Sequence, residues 1–553
     1  MGACQPTARQ NGLMQVYFGG DILTMEGDAP VYVEALVVKE GKIIFAGNKA
    51  DALRQAGSQA QSIDLQGKML MPAFIDGHSH FTAAFLEAGQ ANCAAPPVGQ
   101  VKNPQEVVQS LLTHKKDKQL DDKALIIGFG YDDTQMPENQ LLNRDILDQA
   151  FPENPVVVLH VSLHGVVLNS KAMALYGISA STPTPAGGII VRKPGTQEPD
   201  GLIMETAAAP IIASLTKMEP QKALKQLQLA QEMYAAAGIT TAQDGATHWK
   251  EIQLLRKAAQ ANALMLDIVS YAIFLEADSV YQYLKPEDFG KYNRRLKIGG
   301  IKFVLDGSPQ ARTALFTTPY QTGGPSGEKD WKGKPIIPQN TFNQLLQKAY
   351  DKNLQCLIHA NGDGAIDMAL IADSVANQGK FDKDRRTIVI HAQFIRKDQI
   401  QAFVKQKLIG SFFTAHTFFF AAAHLKNRGE AQAMFISPLK TALAAGVKLT
   451  NHTDYPVTPL NQLFLVWTAV NRVSREGKAI GNDERINVYQ ALQAITIFGA
   501  YQYFEEASKG SLKTGKLADL VILDKNPLKV ASEAIKDIQV LETIKEGKTI
   551  YKR

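Results

Sequence analysis

Between residues 205 and 500, short apolar segments alternate with amphipathic segments of helical period, and this alternation constrains the fold more than any other feature. Residues 221–237 carry leucines at helical spacing and end at Gly238, after which residues 239–244 resemble a strand. With one earlier segment, the strand-like residues are 69–75, 239–244, 264–271, 298–305, 354–358, 387–390, 409–414 and 447–450. Eight such segments with intervening helices predict an α/β fold, a (β/α)8 TIM-like barrel with its active site at the carboxyl ends of the strands.

Both ends of the chain are rich in short β-like segments, such as the apolar runs that flank the Glu40-Gly41 turn. We therefore expect a small β-sandwich built from residues 15–68 and 507–553, next to a barrel of residues 69–506. Residues from about 81 to 200 interrupt the series of strands and helices after the first strand. They predict an insertion into the barrel.

Residues 1–14 are expected to form an N-terminal tail. The sequence Met1-Gly2-Ala3-Cys4 resembles the end of a bacterial lipoprotein signal, in which small residues precede a lipid-bearing cysteine. On that interpretation Cys4 carries a lipid anchor and the protein lies in the periplasm or cell envelope. The alternative is an ordinary N-terminus and a cytoplasmic protein.

Charge and cysteine content exclude several classes of protein. The net charge of +5 comes without a run of basic residues, which argues against a nucleic-acid partner. Three cysteines are too few for a disulfide framework, and no run of 18 apolar residues predicts a transmembrane segment. The expected partner is a small-molecule substrate, and the sequence leaves open whether the chain forms a homo-oligomer.

Metal-ligating residue types stand where several of the predicted strands end. His78 and His80 follow the first strand two residues apart, so their imidazoles face the same way. His359, His391 and Asp454 lie at the ends of later strands. Four imidazoles and one carboxylate suit a divalent metal, and zinc is the ion that we expect, as one or two ions.

Lys302 lies within a strand that is otherwise apolar on both faces, where an unpaired ammonium group is unfavourable. A lysine whose pKa falls on burial reacts with carbon dioxide to give a carbamate, which bridges two metal ions. Schiff-base chemistry and a structural salt bridge are the alternatives. The neighbouring metal-ligating residues favour the carbamate.

The sequence resembles the amidohydrolase superfamily, within its family 3 branch, which includes N-substituted formamide deformylases and exoenzyme regulatory proteins. The segments that carry the resemblance, besides Lys302, are Pro72–His80, Gly128–Asp132, His160–Asn169, Gly201–Glu205, Asp306–Ser308, His359–Asp363, His391–Gln393, Thr453–Val457 and Gly515–Leu520. The resemblance implies a metal-dependent hydrolase barrel. The metal ligands that it implies are His78, His80, His359, His391 and Asp454, with Lys302 as the carbamate bridge.

Two positions depart from this pattern or compete with it. Relatives often carry a Gly-Ser pair before the last aspartate, where this chain has His452 and Thr453, so His452 could reshape the pocket or contact a second metal. Glu205 could act as a ligand and compete with Lys302 for the bridging role. The number of metal ions is therefore open.

The resemblance and the ligand set together predict hydrolysis of a carbonyl carbon–nitrogen bond, in an amide or N-acyl substrate, by metal-activated hydroxide. Asp454 is expected to accept the proton of the attacking water and return it to the leaving nitrogen. His416, Arg312 and Tyr131 are candidate catalytic residues that stabilise charge or bind substrate.

Three alternatives remain. An esterase or lactonase would use the same site. A deaminase usually requires a glutamate after the histidine of the fifth strand, where this chain has Asn361-Gly362-Asp363. A non-catalytic binding scaffold would not need the complete set of ligands.

Overall fold

The computed structural model describes residues 14–553 except 97, 134–135, 138–139, 162–164, 186–187, 206, 216–219 and 325–327. Cys4 and the predicted tail therefore lie outside the described residues. The chain forms two compact units. The first contains residues up to Thr82 together with Gln231–Arg553, and the second contains Ala83–Ala230.

The first unit contains a curled sheet of parallel strands that follow one another in chain order. The strands are β6 (Phe74–Ile75), β13 (Ile239–Thr247), β14 (Asp267–Ile273), β16 (Leu296–Val304), β17 (Gln355–Ala360), β18 (Ile388–His391), β19 (Ile409–Phe412) and β20 (Leu449–Asn451), and β15 (Tyr292–Asn293) pairs antiparallel with β16. At the edges of the sheet, the Asp454 amide donates to the His78 carbonyl oxygen at 3.1 Å. The predicted TIM-like α/β fold is confirmed.

In each unit, helices pack with apolar faces against the sheets of that unit. The helices are α1 (Lys49–Ala56), α2 (Ala84–Glu87), α3 (Pro104–Asp117), α4 (Arg144–Ala150), α5 (Ser170–Leu175), α6 (Ala209–Leu215), α7 (Pro220–Ala236), α8 (Trp249–Gln260), α9 (Ala277–Tyr283), α10 (Gln339–Asp351), α11 (Asp363–Ala376), α12 (Lys397–Gln406), α13 (His416–Phe419), α14 (Ala421–Arg428), α15 (Glu430–Met434), α16 (Leu439–Ala445), α17 (Gln462–Asn471), α18 (Val488–Ala494) and α19 (Ile497–Gln502). In α10, for example, Phe342, Leu346, Ala349 and Tyr350 are buried at helical spacing. None of the helices that the structure describes is long and apolar enough to cross a membrane.

Strands from both ends of the chain form one mixed sheet in the first unit, in the order β23, β22, β21, β5, β1, β2, β3, with β4 beside β1. The strands are β1 (Gln15–Leu23), β2 (Tyr32–Lys39), β3 (Lys42–Gly47), β4 (Gln61–Asp64), β5 (Met69–Pro72), β21 (Leu520–Leu523), β22 (Val540–Lys545) and β23 (Lys548–Lys552). Antiparallel pairing of β21 with β5 joins the two ends of the chain. The arrangement of this sheet as a sandwich remains a prediction.

The second unit has a mixed sheet of its own, in the order β11, β12, β10, β9, β8, β7. Its strands are β7 (Ala91–Asn92), β8 (Ile126–Tyr131), β9 (Val156–His160), β10 (Gly165–Leu168), β11 (Gly188–Arg192) and β12 (Pro199–Glu205). Because β12 pairs with both β10 and β11, residues 199–205 belong to this unit.

Candidate metal centre

Six side chains come together where the parallel strands of the first unit end. His78 and His80 follow β6, Lys302 lies near the end of β16, His359 lies in β17, His391 ends β18, and Asp454 follows β20. Parallel strands bring their carboxyl ends to one edge of the sheet, which explains why residues nearly 400 positions apart in the chain meet there.

The ligating atoms lie at the separations expected around one or two cations. Asp454 Oδ1 is 3.3 Å from His78 Nε2 and 3.4 Å from His80 Nε2. His391 Nε2 is 3.1 Å from His359 Nδ1 and 3.9 Å from Asp454 Oδ2. Ligands that bind a tetrahedral zinc ion at about 2.0–2.2 Å stand about 3.3–3.6 Å from one another. The separations of Asp454 Oδ1 from His78 Nε2 and from His80 Nε2 therefore fit a shared cation.

The proton on His78 can be located from its neighbours. The amide nitrogen of Gln243 donates to the Gly77 carbonyl oxygen at 2.9 Å and to the Tyr503 hydroxyl at 2.7 Å, so its amide oxygen faces His78 Nδ1. A carbonyl oxygen only accepts, and His78 Nδ1 must therefore donate. The lone pair of neutral His78 then lies on Nε2, on the side of Asp454.

Asp454 Oδ1 is buried and receives no hydrogen bond from the described residues. It faces His78 Nε2, whose lone pair cannot donate to it. Two electron-rich atoms buried at 3.3 Å repel each other unless a cation lies between them. The donor set therefore fits a divalent metal ion.

Burial keeps the histidines in the neutral form that binds metals. It lowers the pKa of His78 to about 4 and that of His359 to about 3, and it lowers the pKa of His391 well below its usual value. Burial raises the pKa of the Asp454 carboxyl, but the net shift places this pKa well below its usual range. Asp454 is therefore ionised at neutral pH.

Lys302 differs from the other buried lysines that the structure describes. It forms no ion pair with a described carboxylate, and its Nζ lies 3.2 Å from His78 Nε2. The other buried lysines all pair with acids, as Lys297–Glu505, Lys509–Asp267, Lys516–Glu26 and Lys545–Asp519. Burial lowers the pKa of Lys302 to about 7, although Asp454 partly opposes this shift. Among the buried lysines that the structure describes, Lys302 is thus the one whose positive charge is not paired with a carboxylate.

The backbone is unusual at two of the six positions. His391 has φ 72° and Asp454 has φ 52°, in the left-handed region that residues other than glycine rarely adopt. Such conformations persist where the surrounding structure enforces them, often at functional sites. Gly245 on β13 also shapes the centre, because a Cβ atom there would lie 2.5 Å from Cε1 of His78.

His416, Arg312 and Tyr131 form hydrogen bonds with residues outside the six-residue centre. His416 is buried, and its Nδ1 lies 2.9 Å from Nε2 of His424. Arg312 donates to the Thr322 carbonyl oxygen at 3.4 Å, and Tyr131 lies in the second unit, where its hydroxyl accepts from the Leu142 amide at 3.1 Å. The side chain of Glu205 lies outside the described residues, so its competition with Lys302 stays a prediction.

Sequence reasoning missed Gln243, although one signal was available. Gln243 and Asp244 are polar residues in a strand whose other positions are nearly all buried. A buried amide needs hydrogen-bond partners, and this requirement marks Gln243 as a residue with a specific role.

Comparison with known proteins agrees with this geometry. Residues 61–551 match the amidohydrolase family. The chain is 26% identical over 539 residues to N-substituted formamide deformylase of Arthrobacter pascens, covering 94% of this chain and 95% of that one. It is 28% identical to protein LONG AFTER FAR-RED 3 of Arabidopsis thaliana over 96% of this chain and 90% of that one.

A solved structure supports the same assignment. It is that of an uncharacterized metal-dependent hydrolase from Pyrococcus furiosus, which is 25% identical and has a TM-score of 0.73. The match covers 93% of this chain and all of that one. This chain therefore belongs to the amidohydrolase family.

Proposed function

We propose that this protein is a metal-dependent hydrolase that cleaves a carbonyl carbon–nitrogen bond, in an amide or N-acyl group of a small molecule. The observation that carries the proposal is the buried Asp454 Oδ1, which faces the imidazoles of His78 and His80 without a hydrogen bond. Together with His359 and His391, these residues would hold zinc.

A bound divalent cation lowers the pKa of a water molecule and polarises a carbonyl oxygen. The ionised carboxylate of Asp454 accepts the proton of the attacking water and then donates it to the leaving nitrogen. Such proton transfer typically contributes about 10²–10⁴-fold to the rate. His416, Arg312 and Tyr131 remain candidates for binding the substrate or stabilising its charge.

Lys302 would supply the bridging ligand as a carbamate. Its neutral amine would attack the carbon of carbon dioxide, so that a nitrogen–carbon bond forms and one carbon–oxygen π bond opens. The proton lost from the nitrogen would pass to water, which leaves an anionic carbamate. The absence of an ion-pair partner among the described carboxylates supports this assignment over the salt bridge.

Hydrolysis of an amide is favoured over deamination by the surroundings of Asp363. This carboxylate follows the histidine of β17, but it accepts from Arg396 Nη1 at 3.0 Å and from the Thr317 amide at 2.9 Å. It is therefore occupied and not free for acid–base work. The name of the Arthrobacter relative also points to an N-acyl substrate, an N-substituted formamide.

The test compares the wild-type protein with Asp454→Asn on N-acyl amino acids, N-substituted formamides, lactones and aryl esters. We expect wild-type hydrolysis to be fastest on one of the carbon–nitrogen substrates, and the variant to lose about 10²–10⁴-fold while part of the metal remains bound to the histidines. The exposed Asp483→Asn variant is the matched control.

Faster turnover of lactones or esters than of any amide would instead identify an esterase or lactonase. Wild-type activity in the Asp454→Asn variant would contradict the proposed role of Asp454. A wild-type protein without activity and without bound metal would instead indicate a non-catalytic binding scaffold.

A further inference from the structure

His452 lies directly behind the proposed metal centre and is fully buried. Its Nε2 is 3.2 Å from Nδ1 of His391, and its Nδ1 is 2.9 Å from the Ser411 hydroxyl oxygen. His391 Nε2, on the opposite side of that ring, faces His359 and Asp454. His452 therefore contacts a proposed ligand from the side away from the metal.

The positions of the protons follow from the role of His391. A neutral imidazole that binds a cation through Nε2 carries its proton on Nδ1. Nδ1 of His391 then donates to Nε2 of His452, so the proton of His452 lies on Nδ1. That nitrogen in turn donates to the hydroxyl oxygen of Ser411. If His452 Nε2 instead donated to His391 Nδ1, neutral His391 would carry its proton on Nε2 and could not bind the metal through that nitrogen.

The hydrogen bonds continue beyond Ser411 into the barrel. The hydroxyl oxygens of Ser411 and Thr450 are 2.9 Å apart, and Thr450 donates to the amide oxygen of Gln502 at 2.7 Å. The amide nitrogen of Gln502 donates to the Gly77 carbonyl oxygen at 2.7 Å, one residue before His78. All of these side chains are fully buried, so water does not substitute for them.

We propose that His452 is a positioning residue, which accepts the Nδ1 proton of His391 and thereby presents Nε2 of His391 to the metal. The inference rests on the proposed function. Both nitrogens of His452 are used by His391 and Ser411, which argues against a contact of His452 with a second metal. Partners of this kind typically change metal affinity about 10–100-fold.

The first experiment titrates metal-free protein with Zn²⁺ against a chromophoric chelator. We expect His452→Phe, which keeps a ring but removes the acceptor, to bind Zn²⁺ about 10–100-fold more weakly than the wild-type protein. His452→Gln places an acceptor oxygen near the position of Nε2 and should recover part of the affinity. His424→Phe is the matched control, since it removes a buried imidazole that contacts none of the proposed ligands.

The second experiment needs no metal. Ring-carbon NMR shifts of labelled histidine report which nitrogen carries the proton, and His391→Gln assigns the signal of His391. We expect His391 to carry its proton on Nδ1 in the metal-free wild-type protein and to lose this preference in His452→Phe.

The two experiments separate the inference from the proposed function. Equal Zn²⁺ affinity in the wild-type protein and His452→Phe, or an Nε2 proton on His391 in the wild-type protein, would overturn the inference alone. A wild-type protein that binds no Zn²⁺ would overturn the proposed function, whatever the tautomer of His391.

Discussion

Among single residues, the buried lysines that the structure describes fall into two kinds: those whose charge is paired with a carboxylate, and Lys302, whose charge is not. Lys545 lies 2.7 Å from carboxylate oxygens of Asp267 and Asp519, and this pairing offsets the cost of burying its charge. Lys302 has no such partner among the described residues. An ammonium group without compensation favours its neutral form, which is the form that reacts with carbon dioxide.

The carbamate on Lys302 leads to a direct spectroscopic prediction. In protein incubated with ¹³C-labelled bicarbonate and Zn²⁺, we expect one carbamate signal in the ¹³C NMR spectrum. Lys302→Arg, whose guanidinium stays protonated, should lack this signal and lose most of the activity. A wild-type spectrum without the signal, in active protein, would show that another group fills the bridging position.

Buried neutral histidines also predict how stability depends on pH. Burial lowers the pKa of His424 to about 3, below the ordinary value of 6.5. As the pH falls from 6.5 towards 3, the unfolded chain binds a proton at this residue and the folded chain does not. The contribution of His424 to the free energy of unfolding is therefore fully present above pH 6.5. It decreases at lower pH by about 1.4 kcal/mol per pH unit.

We accordingly expect the thermal midpoint of His424→Phe to fall less steeply than that of the wild-type protein between pH 6 and about pH 4. Between pH 7 and 8 the two slopes should agree, because His424 is neutral in both states, and this range is the internal control. Parallel curves down to pH 4 would show that His424 is protonated in the folded protein.

At the element scale, β13 positions the centre without supplying a ligand. Its Gln243 orients His78, and its Gly245 leaves space for the ring of His78. The strand segments themselves were predictable from apolar runs, although β14 begins at Asp267 and the predicted segment began at residue 264. The hydrogen bonds between Gln243 and the His78 region join residues 165 positions apart, and no local pattern indicates such a pairing.

The space around His78 gives a prediction for β13. In Gly245→Ala the new methyl group would lie 2.5 Å from Cε1 of His78 and 2.8 Å from its Nδ1, so the ring must shift. We expect Zn²⁺ affinity in a chelator competition to fall by about 10-fold or more.

Thr240→Val on the same strand is the matched control, since the buried Thr240 hydroxyl has no hydrogen-bond partner among the described residues. It should bind Zn²⁺ as tightly as the wild-type protein does. Unchanged affinity in Gly245→Ala would mean that His78 tolerates the shift or does not bind the metal.

At the scale of the whole molecule, the sequence predicted the kind of fold and the positions of the candidate ligands. The reason is that strand ends and the spacing of His78 and His80 are local features. The role of His452 and the hydrogen bonding of Gln243 were not predictable, because they depend on which strands become neighbours. The sheet that joins the two ends of the chain contains β5, which directly precedes β6 in the sequence. Its hydrogen bonds to β5 therefore hold the segment that leads into His78 and His80.

The most direct test of the metal centre is anomalous diffraction at the zinc absorption edge, from crystals grown with Zn²⁺. We expect an anomalous peak about 2.0–2.2 Å from Nε2 of both His78 and His80, with Asp454 in reach of the same ion or of a second one. A fully occupied zinc peak elsewhere in the molecule, with these three side chains unliganded, would contradict it.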